Sequence, residues 1–224
     1  MLLEEILREF KSLSDPKSVE GMARFGITPS KTFGIRIPVL RKIAKKIKKD
    51  RELAHELWRL GFRETMILAS MIDDPKQVTE EQMNSWVKDF DYWEICDQTI
   101  MNLFEKTEFA YKKAFEWSSS DEEFIKRAGY VMIARLAVSD KEAENKSFTQ
   151  FFPIIAKGAT DSREMVKKGV NWALRQIGKR NLNLNKEAIK VAKSIFQQDS
   201  NDAKWVAKDA IKELESESIQ KRLN

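Results

Sequence analysis

FAYKKAFEWSSSDEEFIKRAGYVMIARLAV, Phe109 to Val138, reads as a helix, a polar break and a longer helix. FTQFFPIIAKGATDSREMVKKGVNWALRQIGKR, Phe148 to Arg180, repeats the plan, and so does EAIKVAKSIFQQDSNDAKWVAKDAIKELES, Glu187 to Ser216. LAHELWRLGFRETMILASMI, Leu53 to Ile72, fits as an earlier, shorter copy. Aligning Arg127, Lys168 and Lys208 gives intervals of roughly 40 residues.

That interval is the period of HEAT and armadillo units. Stacked helix pairs of this kind bury one continuous core, and their second helices line the concave side. Apolar periodicity places helices near 2–12, 16–25, 37–49, 51–60, 63–72, 78–88, 92–104, 107–117, 121–138, 147–157, 162–179, 185–198 and 201–216. Asp121, Ser162 and Thr79, the last with Gln82 three residues on, are expected as N-caps. Pro38 falls early in its helix, where a missing N–H costs little. No strand pair or hairpin signal appears. The expected fold is all-α: a HEAT-like or armadillo-like α-solenoid of stacked antiparallel helix pairs with a concave basic face, formed as one domain over 1–224.

Composition narrows the chemistry. Hydrophobic residues make up 42%, enough for a sizeable core, while 33% charged residues and the lack of a long apolar run argue against a membrane protein. The start MLLEEILREF is acidic at helical spacing, unlike a signal peptide, so a cytoplasmic location is expected. One cysteine, Cys96, excludes internal disulfides and thiolate-rich zinc sites; one histidine, His55, excludes most zinc and non-haem iron sites. Neither a metal nor a cofactor is expected. The net charge of +5 is a mild bias towards an anionic partner.

Several residues fall outside the apolar stripes. In DFDYWEICDQTI, Asp89 to Ile100, Cys96 and Ile100 belong to the stripe, whereas Trp93 and Asp97 flank it at i and i+4 and are neighbours on one face. The helix of Ala128 to Val138 is apolar nearly all round apart from Arg135, as a central helix is. Arg127 at its beginning must reach a carboxylate such as Asp97, a carbonyl or an external phosphate. Trp172 sits at the edge of a clean stripe, among Lys168, Arg175 and Lys179. It either caps the core beside solvated lysines or stacks on a ligand while its neighbours bind anions. RKIAKKIKK, Arg41 to Lys49, is a basic amphipathic helix that is either a solvated face or a nucleic-acid track. His55 has no evident partner, Cys96 reads as a buried thiol, and Trp58, Trp86, Trp117 and Trp205 read as packing residues. No phosphate loop, nucleophile elbow or zinc motif is present.

Three of these segments, YWEICDQ, FIKRAGYVMIA and MVKKGVNWALRQIGKRN, resemble the AlkD-like DNA alkylation repair proteins, which are HEAT-like-repeat DNA glycosylases. The resemblance in layout covers most of the chain. It implies release of N3- and N7-alkylated purines from double-stranded DNA without deep base flipping, by a monomer needing no cofactor. It implies Trp93, Asp97 and Trp172 as cleft residues and Arg127 as the arginine that holds a phosphate. Lys168, Arg175, Lys179 and Arg135 would add contacts to the DNA backbone. Two other functions fit the same architecture: a non-catalytic DNA-binding scaffold, including one for branched DNA, and a protein-interaction solenoid.

Overall fold

Short polar residues start many of the helices. In the computed structural model, which describes residues 1–223, Asp15, Asp50, Thr79, Asn181 and Ser200 each accept a backbone N–H of the first turn that follows. The Thr79 cap on Gln82 N–H, at 3.2 Å, is the one the sequence predicts. The described residues form helices and turns without strands. They divide into two compact units, Met1–Glu108 and Phe109–Asn224.

The first unit contains α1 (Leu3–Ser12), α2 (Pro16–Ala23), α3 (Ile37–Ile47), α4 (Arg51–Arg59), α5 (Arg63–Ile72), α6 (Glu80–Trp86) and α7 (Trp93–Asn102). A short loop folds α5 back on α4, and α5 also packs against α3 and α7. Phe10, Leu40, Leu57, Ile67 and Ile95 are fully buried there. The rings of Trp58 and Trp86 stack at 3.8 Å, and Trp58 Nε1 donates to Asp89 at 2.8 Å. His55 is not partnerless, as the sequence suggests: its ring stands edge-on to Trp86 at 5.6 Å.

The second unit contains α8 (Ala110–Ser118), α9 (Glu123–Ser139), α10 (Lys146–Thr149), α11 (Phe152–Gly158), α12 (Glu164–Gly178), α13 (Leu182–Phe196), α14 (Asn201–Leu214) and α15 (Glu217–Leu223). The helix pairs read from the sequence are present as α8 with α9, α11 with α12, and α13 with α14. Their second helices are neighbours in order, α12 packing against both α9 and α14. Ala128, Val131, Met132, Ile133 and Ala134 are fully buried, so α9 is the central helix its all-round apolarity predicts.

Gly129 lets α9 approach α8. A Cβ there would run into the backbone of Trp117 and Ser118, which has no side-chain freedom to yield. Gly129→Ala is therefore expected to destabilise the protein by about 1–3 kcal/mol or more, measured by urea unfolding.

Some boundaries differ from expectation. The helix expected over 147–157 is broken into α10 and α11. The one expected from 185 starts at Leu182, because Asn181 caps it through Leu184 N–H. Asp121 and Ser162 do not cap: the capping positions are Glu122 and Arg163. Asp161 instead accepts the Arg163 N–H and grips its guanidinium, which draws the chain past Ser162 before α12 begins. Trp205 is 41% exposed rather than packed, because it lies off the α14 stripe of Ala203, Val206, Ala207 and Ala210; Lys167 covers its ring. No described helix is long and apolar enough to cross a membrane.

Candidate functional site

Tyr92 is extended and α7 begins at Trp93, so Trp93 and Asp97 fall one turn apart on the same helix. Asp97 is buried, 7% exposed, while Trp93 is half-buried. The indole is held from outside the helix: Trp93 Nε1 donates to Phe25 O at 2.9 Å. Gly26 follows with φ +69°, a left-handed conformation that glycine adopts without strain, and a Cβ built there would meet the same ring at 3.7 Å. The Phe25 ring is 74% exposed in this loop next to Trp93.

A buried charge cluster fixes that loop. Glu64 accepts from Thr32 Oγ1 at 2.9 Å, Phe33 N–H at 2.8 Å and Ile35 N–H at 3.1 Å. Arg63 forks onto Glu94 through Nε and Nη2, at 2.7 and 2.9 Å. Its Nη1 donates to Glu64 and to Ile35 O at 2.9 and 2.7 Å. Arg63, Glu64 and Glu94 are 3%, 0% and 6% exposed, so these bonds take the place of water around the charges. Burial alone would favour the neutral guanidine; Glu94 and Glu64 outweigh it and raise the Arg63 pKa. The cluster ties α5 and α7 to the loop that holds Trp93. It was missed in the sequence, although an Arg-Glu pair heading the apolar run TMILASMI was the signal available.

In the second unit Arg127 is 6% exposed, and its Nη1 donates to Met165 O at 2.7 Å. Of the three destinations the sequence allowed, a carbonyl is thus one that it reaches. Gly169 brings α12 close to α9 beside Arg127 and Tyr130. Trp172, one turn further along α12, is half-buried. Its basic neighbours all have acidic partners. Lys168 Nζ lies 3.2 Å from Glu164, Lys179 Nζ lies 2.7 Å from Glu213, and Arg175 pairs with Glu213 and, at 3.7 Å, Asp209. Arg175 and Lys179 therefore run along the seam between α12 and α14. Arg135 is half-buried on α9.

The start of α12 is pinned to α9 by Asp161, whose carboxylate binds Arg163 and, at 3.0 Å, Lys126 Nζ. The Arg163 hydrogen bonds, with Lys126 beside them, hold its pKa well below the ordinary 3.8. A depressed carboxylate stabilises the fold above its unfolded pKa, and that contribution is lost as pH falls through the folded value. Asp161→Asn should lower Tm by about 2–4 °C at neutral pH, with the gap closing as pH drops below 3.8, read by melting curves across acidic pH.

The model of the DNA alkylation repair enzyme family matches residues 6–214 of the chain. A solved structure described as a new family of proteins related to the HEAT-like repeat DNA glycosylases, with affinity for branched DNA structures, is similar over 95% of both chains, with a TM-score of 0.78 and 20% identity. At that identity the likeness shows the fold, a HEAT-like repeat. An uncharacterized protein of Listeria innocua is 23% identical over 86% of this chain and 93% of its own length. Another, of Listeria monocytogenes, is 24% identical over 63% and 65%.

Proposed function

The chain belongs to the DNA alkylation repair enzyme family, and from that premise we propose that it is a DNA glycosylase for cationic N3- and N7-alkylated purines. The observation that carries this reading is the pair on α7: a half-buried indole and, one turn on, a buried carboxylate. Alkylation at N3 or N7 puts a positive charge on the base, so it departs without being protonated. The electron pair of the glycosidic bond leaves with the base, and positive charge develops on the deoxyribose. Asp97 stabilises that charge and orients the water that adds to the sugar. The indole face of Trp93 attracts the same cation, at about 0.5–2 kcal/mol, and Trp172 offers DNA a second aromatic face. Arg127 holds a backbone phosphate and sets the register. Lys168, Arg175, Lys179 and Arg135 contribute salt-dependent backbone contacts. Exposed ion pairs are worth only about 0–1 kcal/mol, so DNA phosphates compete well for Lys168.

A second reading, binding without base release, is favoured by one observation. The related solved structure is described as having affinity for branched DNA structures. The two separate in one assay. Chromatography of the supernatant after incubation with methylated duplex should show free alkylated purine. Tight binding of a branched substrate with no free base would leave the second reading standing and remove the first.

A further inference from the structure

The apolar face of α3 is spent inside the protein: Leu40 and Ile43 are 0% and 1% exposed, and the helix packs against α5. What remains outside is six cations in nine residues, in two rows spaced i, i+4 and i+7 whose last members, Lys48 and Lys49, lie just past the end of α3. One row is Lys42, Lys46 and Lys49. Lys46 lies 3.7 Å from Glu9, and Lys49 Nζ donates to the carbonyls of Asp73 at 2.7 Å and Met71 at 3.2 Å. The other row is Arg41, Lys45 and Lys48. All three are exposed. None of their side chains makes a hydrogen bond or ion pair with a described residue.

Lys48 is the informative member. It closes α3 with φ +67° and ψ −144°, and it alone among the described residues other than glycine has positive φ. Only glycine visits that region readily, so a side chain is kept there against backbone strain. Its neighbours Lys45 and Lys49, with Ala44 and Met71, line a hollow of about 240 Å³. Strain retained at a cationic position beside a hollow with two more lysines points to a use for the charge.

We propose that Arg41, Lys45 and Lys48 form a contact for the phosphate backbone of duplex DNA, additional to the residues assigned to base release. The inference rests on the reading of the chain as a DNA-binding protein. From Arg41 to the end of α3 at Ile47 the helix rises about 9 Å, close to the axial span of about three phosphates of one strand. A basic helix also suits anionic membranes, but that mode needs a free apolar face, which α3 has already buried.

The test is the salt dependence of binding to a short undamaged duplex, measured by fluorescence anisotropy with the full chain. Arg41→Gln with Lys45→Gln should lower the slope of log affinity against log salt by about 2 and the affinity about tenfold or more. Lys42→Gln with Lys46→Gln removes the same charge from the other row and should do less than half as much. Lys48→Gly separates strain from charge: it should raise Tm yet weaken binding, with a slope lower by about 1. Equal losses from the two double variants would reduce the effect to net charge and overturn the site. So would Lys48→Gly binding as wild type does, or loss of binding to phosphatidylserine vesicles with DNA binding intact. Wild-type binding unchanged by the Arg41 and Lys45 substitutions sinks this site alone; no salt-dependent binding by wild type sinks the DNA reading with it.

Discussion

Asp97→Asn is expected to reduce release of 7-methylguanine from methylated duplex DNA by about a hundredfold to a thousandfold. The substitution keeps the size of the side chain and removes its negative charge. On the proposed chemistry that charge has no substitute. Trp93 supplies only weak cation attraction, and none of the other residues assigned to base release carries a carboxylate. Binding to the same duplex should change by no more than about threefold, because phosphate contacts dominate affinity. The check is single-turnover base release beside a binding titration. Release at the wild-type rate would remove Asp97 from the chemistry.

Arg63→Met should cost about 3–5 kcal/mol of stability, a large share of the about 5–15 kcal/mol typical of a folded protein. The reason is what is left behind. Glu64 and Glu94, 0% and 6% exposed, lose the one guanidinium that bonds to both. Replacing all three charges, with Glu64→Gln and Glu94→Gln added, should recover much of the loss, since the penalty comes from uncompensated burial more than from a missing attraction. Urea unfolding of the single and triple variants decides it. Glu64 also anchors Thr32, Phe33 and Ile35. The single variant should therefore loosen the loop that carries Phe25 and Gly26, and an increase in Trp93 exposure to fluorescence quenchers would report this.

The two effects also mark what the sequence could and could not reveal. The helix pairs of the second unit were legible because α9, α12 and α14 carry clean apolar stripes separated by polar breaks. Trp93 and Asp97 were legible because i and i+4 on a helix is a local relation. The Arg63 cluster was not, because apart from the Arg63–Glu64 step its partners stand 28 to 32 residues apart, and nothing in helical periodicity pairs Glu94 with Arg63. The hold of Phe25 on Trp93 is longer still, 68 residues, and runs through a backbone carbonyl that no side-chain pattern announces. The Ser162 cap failed for a related reason. Ser162 is a good capping residue by type, but Asp161 next to it is committed to Arg163 and Lys126. Trp205 was misplaced by residue type alone, where its angle on the α14 wheel pointed outward.

The central claim is that base release relies on the positive charge of the lesion and needs no acid to protonate the leaving group. It is tested most directly by comparing single-turnover release, by wild-type protein, of cationic 7-methylguanine and of a neutral lesion such as hypoxanthine from otherwise identical duplexes. The account predicts measurable release of the cationic base and none above background for the neutral one. Absence of release from the methylated duplex, or comparable release of both bases, would contradict it.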